Sequence, residues 1–128
     1  MKTIDDILEQ EVYEDMTISE LLDGERYNHV YKVMDGLRGR INFKKEVIYY
    51  NPCFNEDGLT YVHEMLHDYH NRTGVIEPPE SIIEQNAQRI YNEYSKLIDD
   101  YVYSLHNETK DKKDEQDKQL YFCFDGEE

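Results

Sequence analysis

The run Leu59-Thr60-Tyr61-Val62-His63-Glu64-Met65-Leu66-His67-Asp68-Tyr69-His70 constrains the fold more than any other stretch of the chain. At helical spacing, Leu59, Val62, Leu66 and Tyr69 make an apolar stripe, with His63, His67 and His70 along an adjacent edge. Residues four apart stand about one turn apart on one face, so the imidazoles of His63 and His67 can reach a single metal ion. Glu64 lies one step round, where it can touch a water at that metal without binding the metal. The H-E-x-x-H spacing thus reads as two ligands and a general base on one helix. Asp57 is a reasonable N-cap for it and Thr73-Gly74 a natural stop.

The flanking segments supply what such a helix packs against. Tyr27, His29, Tyr31 and Val33 alternate with Asn28, Val30, Lys32 and Met34, the period of a strand. Asp35-Gly36 signals a turn, Arg40 to Phe43 a second strand, and Glu46 to Tyr50 a third, stopped by Asn51-Pro52. Three short antiparallel strands cannot bury themselves and need a helix on one face. Upstream, residues 1–26 carry nine acidic and two basic side chains. Two short helices are expected there as scaffold, the second opened by the capping box Thr17/Glu20 and ended at Gly24. Downstream, Pro78-Pro79 sets up a new helix from about Glu80 to Leu105, with Ile83, Ala87, Ile90, Tyr94, Leu97 and Tyr101 along its apolar side. Residues 107–119 are dominated by Lys, Asp and Glu, and Leu120 to Phe124 is again apolar and strand-like.

The expected fold class is therefore α+β: a small antiparallel three-stranded sheet packed on the histidine helix and on a long helix bearing Glu84. Residues 1–106 form one domain, with 1–26 as its N-terminal helical segment. Residues 107–128 form an acidic linker and a strand-like tail. The net charge of −15 disfavours nucleic acid and anionic membrane as partners, because both need a basic surface. No run approaches a transmembrane length, and Met1 to Asp6 is too polar for a secretory signal, which makes a cytoplasmic protein the expectation. Cys53 and Cys123 are too few to frame a small disulfide fold.

Two histidines complete only half of a tetrahedral shell, and a catalytic zinc takes three protein ligands and leaves one position to water. Glu84 is the leading third ligand. It interrupts a row that is otherwise apolar or aromatic, where a lone carboxylate is costly, and it lies early in the next helix. An ion pair, with Arg89 as the nearest cation in sequence, is the competing role. His70 is the rival ligand, although three ligands within eight residues of one helix strain the geometry. Asp68 reads either as an acceptor for a ligand histidine or as a solvated charge. For the charge that develops on a substrate oxygen, Tyr91 is the first choice as donor, with Tyr94 and His70 behind it. The strand Glu46 to Tyr50 would stand beside the site and offer its edge to an extended peptide, unless that edge is occupied. Cys123 or Asp125 could be brought to the metal by a tail folded back as an extra strand.

With His63-Glu64-x-x-His67 followed by Glu84 in a second helix, the chain resembles the gluzincins, zinc peptidases whose third ligand is a downstream glutamate. Within them, residues 27–105 are similar to the minimal single-domain gluzincins and to the phage-repressor-cleaving and radiation-response peptidases. The resemblance to the second group includes the alanine-containing stretch Glu84-Gln85-Asn86-Ala87. Met65-Leu66 departs from it, since a glycine is frequent inside that group's motif. The resemblance implies a zincin-like fold with one zinc held by His63, His67 and Glu84. It further implies Glu64 as base in peptide-bond hydrolysis and a peptide or protein substrate lying antiparallel to the strand that ends at Tyr50. The minimal members also look like latent enzymes blocked by their own C-terminal segment, which Leu120 to Phe124 would match. The rival from another class is a non-catalytic acidic interaction or inhibitor protein with structural histidines.

Overall fold

The computed structural model describes residues 3–110. Helix α1 (Ile4–Leu8) and a two-stranded ribbon of β1 (Glu11–Tyr13) and β2 (Met16–Thr17) are followed by helix α2 (Ile18–Leu21) and a single 3-10 turn at Gly24–Arg26. Then come β3 (Asn28–Tyr31), β4 (Gly39–Asn42) and β5 (Val47–Tyr50), helix α3 (Asp57–Thr73) and helix α4 (Glu80–Lys110). A three-stranded sheet packed on α3 and α4 gives the α+β class that the periodicities predict and the zincin-like arrangement that the resemblance implies. No helix among the described residues is long and apolar enough to cross a membrane.

Both N-terminal helices open with a capping box, Thr3/Asp6 for α1 and Thr17/Glu20 for α2. Each box satisfies two of the backbone N–H groups that a helix start leaves without partners. Between the helices lies the β1–β2 ribbon, which the sequence does not announce. Its turn places Glu14 at φ 53°, where glycine or asparagine is the usual signal.

The sheet order is β3-β5-β4, with β4 antiparallel and β3 parallel to β5. The sheet is thus mixed rather than wholly antiparallel. Asp35-Gly36 does not close a tight hairpin. It sits inside a seven-residue passage, residues 32–38, that carries the chain across the end of β5 to the opposite edge. Asn51 holds this passage in place. Its side-chain amide donates to the carbonyls of Met34 and Leu37 (2.7 Å each), and its backbone N–H donates to Arg38 O (2.9 Å). Consequently β5, which the sequence offers as an open edge, has a neighbour on both sides, and β4 is the edge strand nearest α3.

Helices α3 and α4 pack antiparallel. The start of α3 at Gly58 faces Tyr91 and Asp99, while His63 faces Glu84. Gly74 ends α3 in the left-handed region, at φ 80°, and donates its N–H to His70 O, the αL termination that glycine favours. The apolar core runs through Ile18, Leu21, Ile48, Tyr50, Tyr61, Met65, Leu66, Ile83, Ile90 and Ile98, each fully buried.

Polar groups buried with this core are partnered across elements. Asp68 meets neither a ligand histidine nor solvent. It accepts from Arg26 Nη2 (2.8 Å), Tyr27 OH (2.6 Å) and Arg72 Nε (3.0 Å). Burial works against its charge, but these donors outweigh burial and hold its carboxyl below the usual aspartate value. His29 donates Nε2–H to Gly24 O (2.7 Å) and accepts from Tyr50 OH at Nδ1 (2.8 Å). Burial lowers its pKa from 6.5, against the pull of the Gly24 carbonyl. An unfolded chain takes up a proton at His29 as pH falls below about 6.5, whereas the folded chain resists, so native stability drops there. Denaturant midpoints measured at pH 7.5 and 5.5 should fall toward the lower pH, and His29→Gln should reduce that fall.

Candidate metal centre

Every ring nitrogen of the two motif histidines faces a carboxylate. His63 is buried and His67 half-buried on the α3 face turned to α4. The Nδ1–H of His63 donates to Glu84 Oε1 (2.7 Å), and the Nδ1–H of His67 donates to Glu77 Oε2 (2.5 Å). These bonds fix both tautomers, so that each Nε2 presents a lone pair to the same point. There Nε2 of His63 lies 3.3 Å from Nε2 of His67. The Glu80 carboxylate closes the group, with Oε2 at 2.6 Å from His63 Nε2 and Oε1 at 3.2 Å from His67 Nε2.

These donors fit a zinc ion. Bonds of about 2.0–2.1 Å to a tetrahedral centre separate neighbouring donors by roughly 3.4 Å, close to the observed 3.3 Å between the two Nε2 atoms. His63, His67 and Glu80 each offer one donor atom within 4.8 Å of the others. Two imidazoles from H-E-x-x-H and a glutamate from the following helix form the gluzincin-like arrangement. Acceptors behind both rings match the carboxylate–histidine pairing that orients zinc ligands.

The carboxylate in this group is Glu80 and not the expected Glu84. Both stand on one face of α4, four residues apart, and the structure assigns them different tasks. Glu84 Oε1 accepts from His63 Nδ1 and from Arg38 Nη2 (2.7 Å), and Oε2 accepts from Arg38 Nη1 (3.2 Å) and Gln88 Nε2 (2.8 Å). A carboxylate has about four lone-pair sites, and all four are engaged. Despite partial burial, the bonds from Arg38, Gln88 and His63 bring the Glu84 pKa down to about 2. Arg38, not Arg89, is its cation. Arg89 instead donates to Val12 O and Asn86 Oδ1 (2.9 Å each). The side chain of Glu80 is 65% exposed, so the centre opens to solvent on that side.

Glu64 lines the same cleft as His63, His67 and Glu80, together with Leu37, Gly39, Arg40, Ile41 and Phe43. It is buried, and burial raises its carboxyl pKa against the pull of His63 and His67. The opposite wall is β4. It approaches closely because Gly39 has no side chain: a Cβ there would overlap the Thr60 methyl and stand 3.4 Å from Glu64 Oε2.

Two other expected participants are elsewhere. Tyr91 OH donates to both oxygens of Asp99 (2.9 Å each), beside Gly58 at the start of α3, and does not line the cleft. Burial and Asp99 push its hydroxyl up to about 12. His70 is held between Tyr13 OH, which donates to its Nε2 (2.7 Å), and Val75 O, which accepts from its Nδ1–H (2.9 Å). Neither nitrogen is left for a metal. Cys123, Asp125 and the segment Leu120 to Phe124 lie outside the described residues. Glu77 and Glu80 escape the sequence reading because they flank Pro78-Pro79 and interrupt no apolar row. Their closeness to Pro79, which forces a fresh helix start, is the one signal that could have found them.

No family model, no curated protein and no solved structure matches this chain. The role of Glu77 can be tested alone. Glu77→Gln keeps His63, His67 and Glu80 but weakens the acceptor behind His67, and zinc affinity measured by chelator competition should fall by about 10- to 100-fold.

Proposed function

We propose that this protein is a zinc-dependent peptidase of the gluzincin type, with one zinc per chain held by His63, His67 and Glu80. The convergence of the two Nε2 atoms and the Glu80 carboxylate at the mouth of a cleft also lined by Glu64 carries this reading. Held by these residues, zinc would supply a Lewis acid for a substrate carbonyl and would lower the pKa of a bound water toward neutrality.

The chain's own residues account for the remaining chemistry. Glu64 takes a proton from the attacking water and returns it to the leaving nitrogen, and its raised pKa suits a group that must hold the proton between those steps. His63 and His67 stay oriented through Glu84 and Glu77. The open edge of β4, in place of β5, is where an extended substrate backbone can pair. Leu37, Ile41 and Phe43 give that wall an apolar surface. The substrate is a peptide or an unfolded protein segment. Kinship with the minimal single-domain members, or with the repressor-cleaving group, belongs to the same reading, as does latency through residues 107–128. A cytoplasmic setting also belongs to it.

Zinc analysis of purified protein should give about one equivalent per chain, lost in His63→Ala. Glu64→Gln should keep the zinc and reduce cleavage of an unstructured protein by at least about 100-fold. Full cleavage by Glu64→Gln would refute the assignment of the base, and a metal-free wild-type protein would favour the non-catalytic acidic interaction protein. Removing residues 119–128 should raise cleavage by the wild-type chain, and unchanged cleavage would refute latency.

A further inference from the structure

We infer that Arg38 is a positioning residue that decides which glutamate of α4 serves the metal. It holds Glu84 behind His63 and leaves Glu80 to meet the two Nε2 atoms. The inference rests on the reading of His63, His67 and Glu80 as a zinc site.

Glu80 and Glu84 are chemically identical, stand one turn apart on one helix face, and both touch His63. What separates them is the company each keeps. Two of the four donors on Glu84 come from Arg38, one to each carboxylate oxygen, at 2.7 and 3.2 Å. The guanidinium is a planar fork that matches a carboxylate on both oxygens at once. Gln88 and His63 supply the other two donors, so Glu84 has no free lone pair to give a cation. Among the described residues, the Glu80 carboxylate has only its close contacts with the two Nε2 atoms.

Arg38 is itself well anchored. It closes the passage between β3 and β4, its carbonyl accepts from Asn51 N–H (2.9 Å), and its side chain is 20% exposed. A second carboxylate, Glu56, stands at 3.8 Å from Nη1, too far to displace Glu84. Without the fork, Glu84 loses two of its four donors and becomes a competing ligand on the same face as Glu80. Arg38 thereby ties the ligand set to the segment whose neighbours Leu37 and Gly39 line the cleft.

The test is a double-mutant cycle read by zinc affinity rather than turnover. Zinc dissociation constants are measured by chelator competition for wild-type protein, Glu80→Ala, Arg38→Met and the double variant, with circular dichroism to confirm folding. In the Arg38 background Glu80→Ala should weaken binding more than about 100-fold, beyond the range for a group that only supports a ligand. In the Arg38→Met background the same change should cost less than about 10-fold, since Glu84 is released to substitute. Arg38→Lys keeps the charge without the fork and should give an intermediate penalty. It also decides the question if Arg38→Met does not fold. Equal penalties in all backgrounds, with wild-type protein binding zinc, would overturn the inference and leave the zinc reading intact. Absence of zinc binding by wild-type protein would overturn both.

Discussion

A helix buried on nearly every side cannot carry polar side chains unless the rest of the chain answers each of them, because an unpaired polar group in a packed interior costs a few kcal/mol, roughly 1–3. Helix α3 is such a helix. His63, Asp68 and His70 are all buried in it, and the folded chain is largely the set of answers, while Glu64 is turned to the cleft. Glu84 and Glu80 of α4 meet His63, Arg26 and Tyr27 meet Asp68, and Tyr13 of the N-terminal ribbon meets His70. Segments that share no strand or helix are thereby fixed around one element.

This requirement explains why similar side chains have such different roles. Three histidines lie on α3 within eight residues, yet His70 is closed on both nitrogens by Tyr13 and Val75, whereas His63 and His67 keep Nε2 directed at the cleft. Position along the helix does not decide which histidine can bind a metal. The decision rests with what stands behind each ring.

The strength of the local patterns set how far the sequence could be read. The motif, the αL stop at Gly74, the capping box at Thr17 and the three strand segments were all legible, since each depends on residues within a turn or two of one another. The third carboxylate was not. Glu80 and Glu84 share a face, and the group that separates them, Arg38, lies 46 residues away from Glu84 in the chain. Tyr91 was placed near the cleft by its helical row, but Asp99 draws its hydroxyl toward the other end of α3. The parallel pairing of β3 with β5 was hidden for a similar reason. Asp35-Gly36 carries the local signature of a hairpin, and the crossing is imposed from a distance by Asn51.

Sheet order carries one more consequence. A rim strand with unmatched amides is a template for any other extended chain, including a second copy of itself, and soluble proteins commonly guard such rims with charge. On β4 the guard is Arg40, with Lys44 and Lys45 in the turn that follows. In a chain of net charge −15, this small basic border can discourage stacking of like rims while leaving the groove beside it open to a single visiting strand.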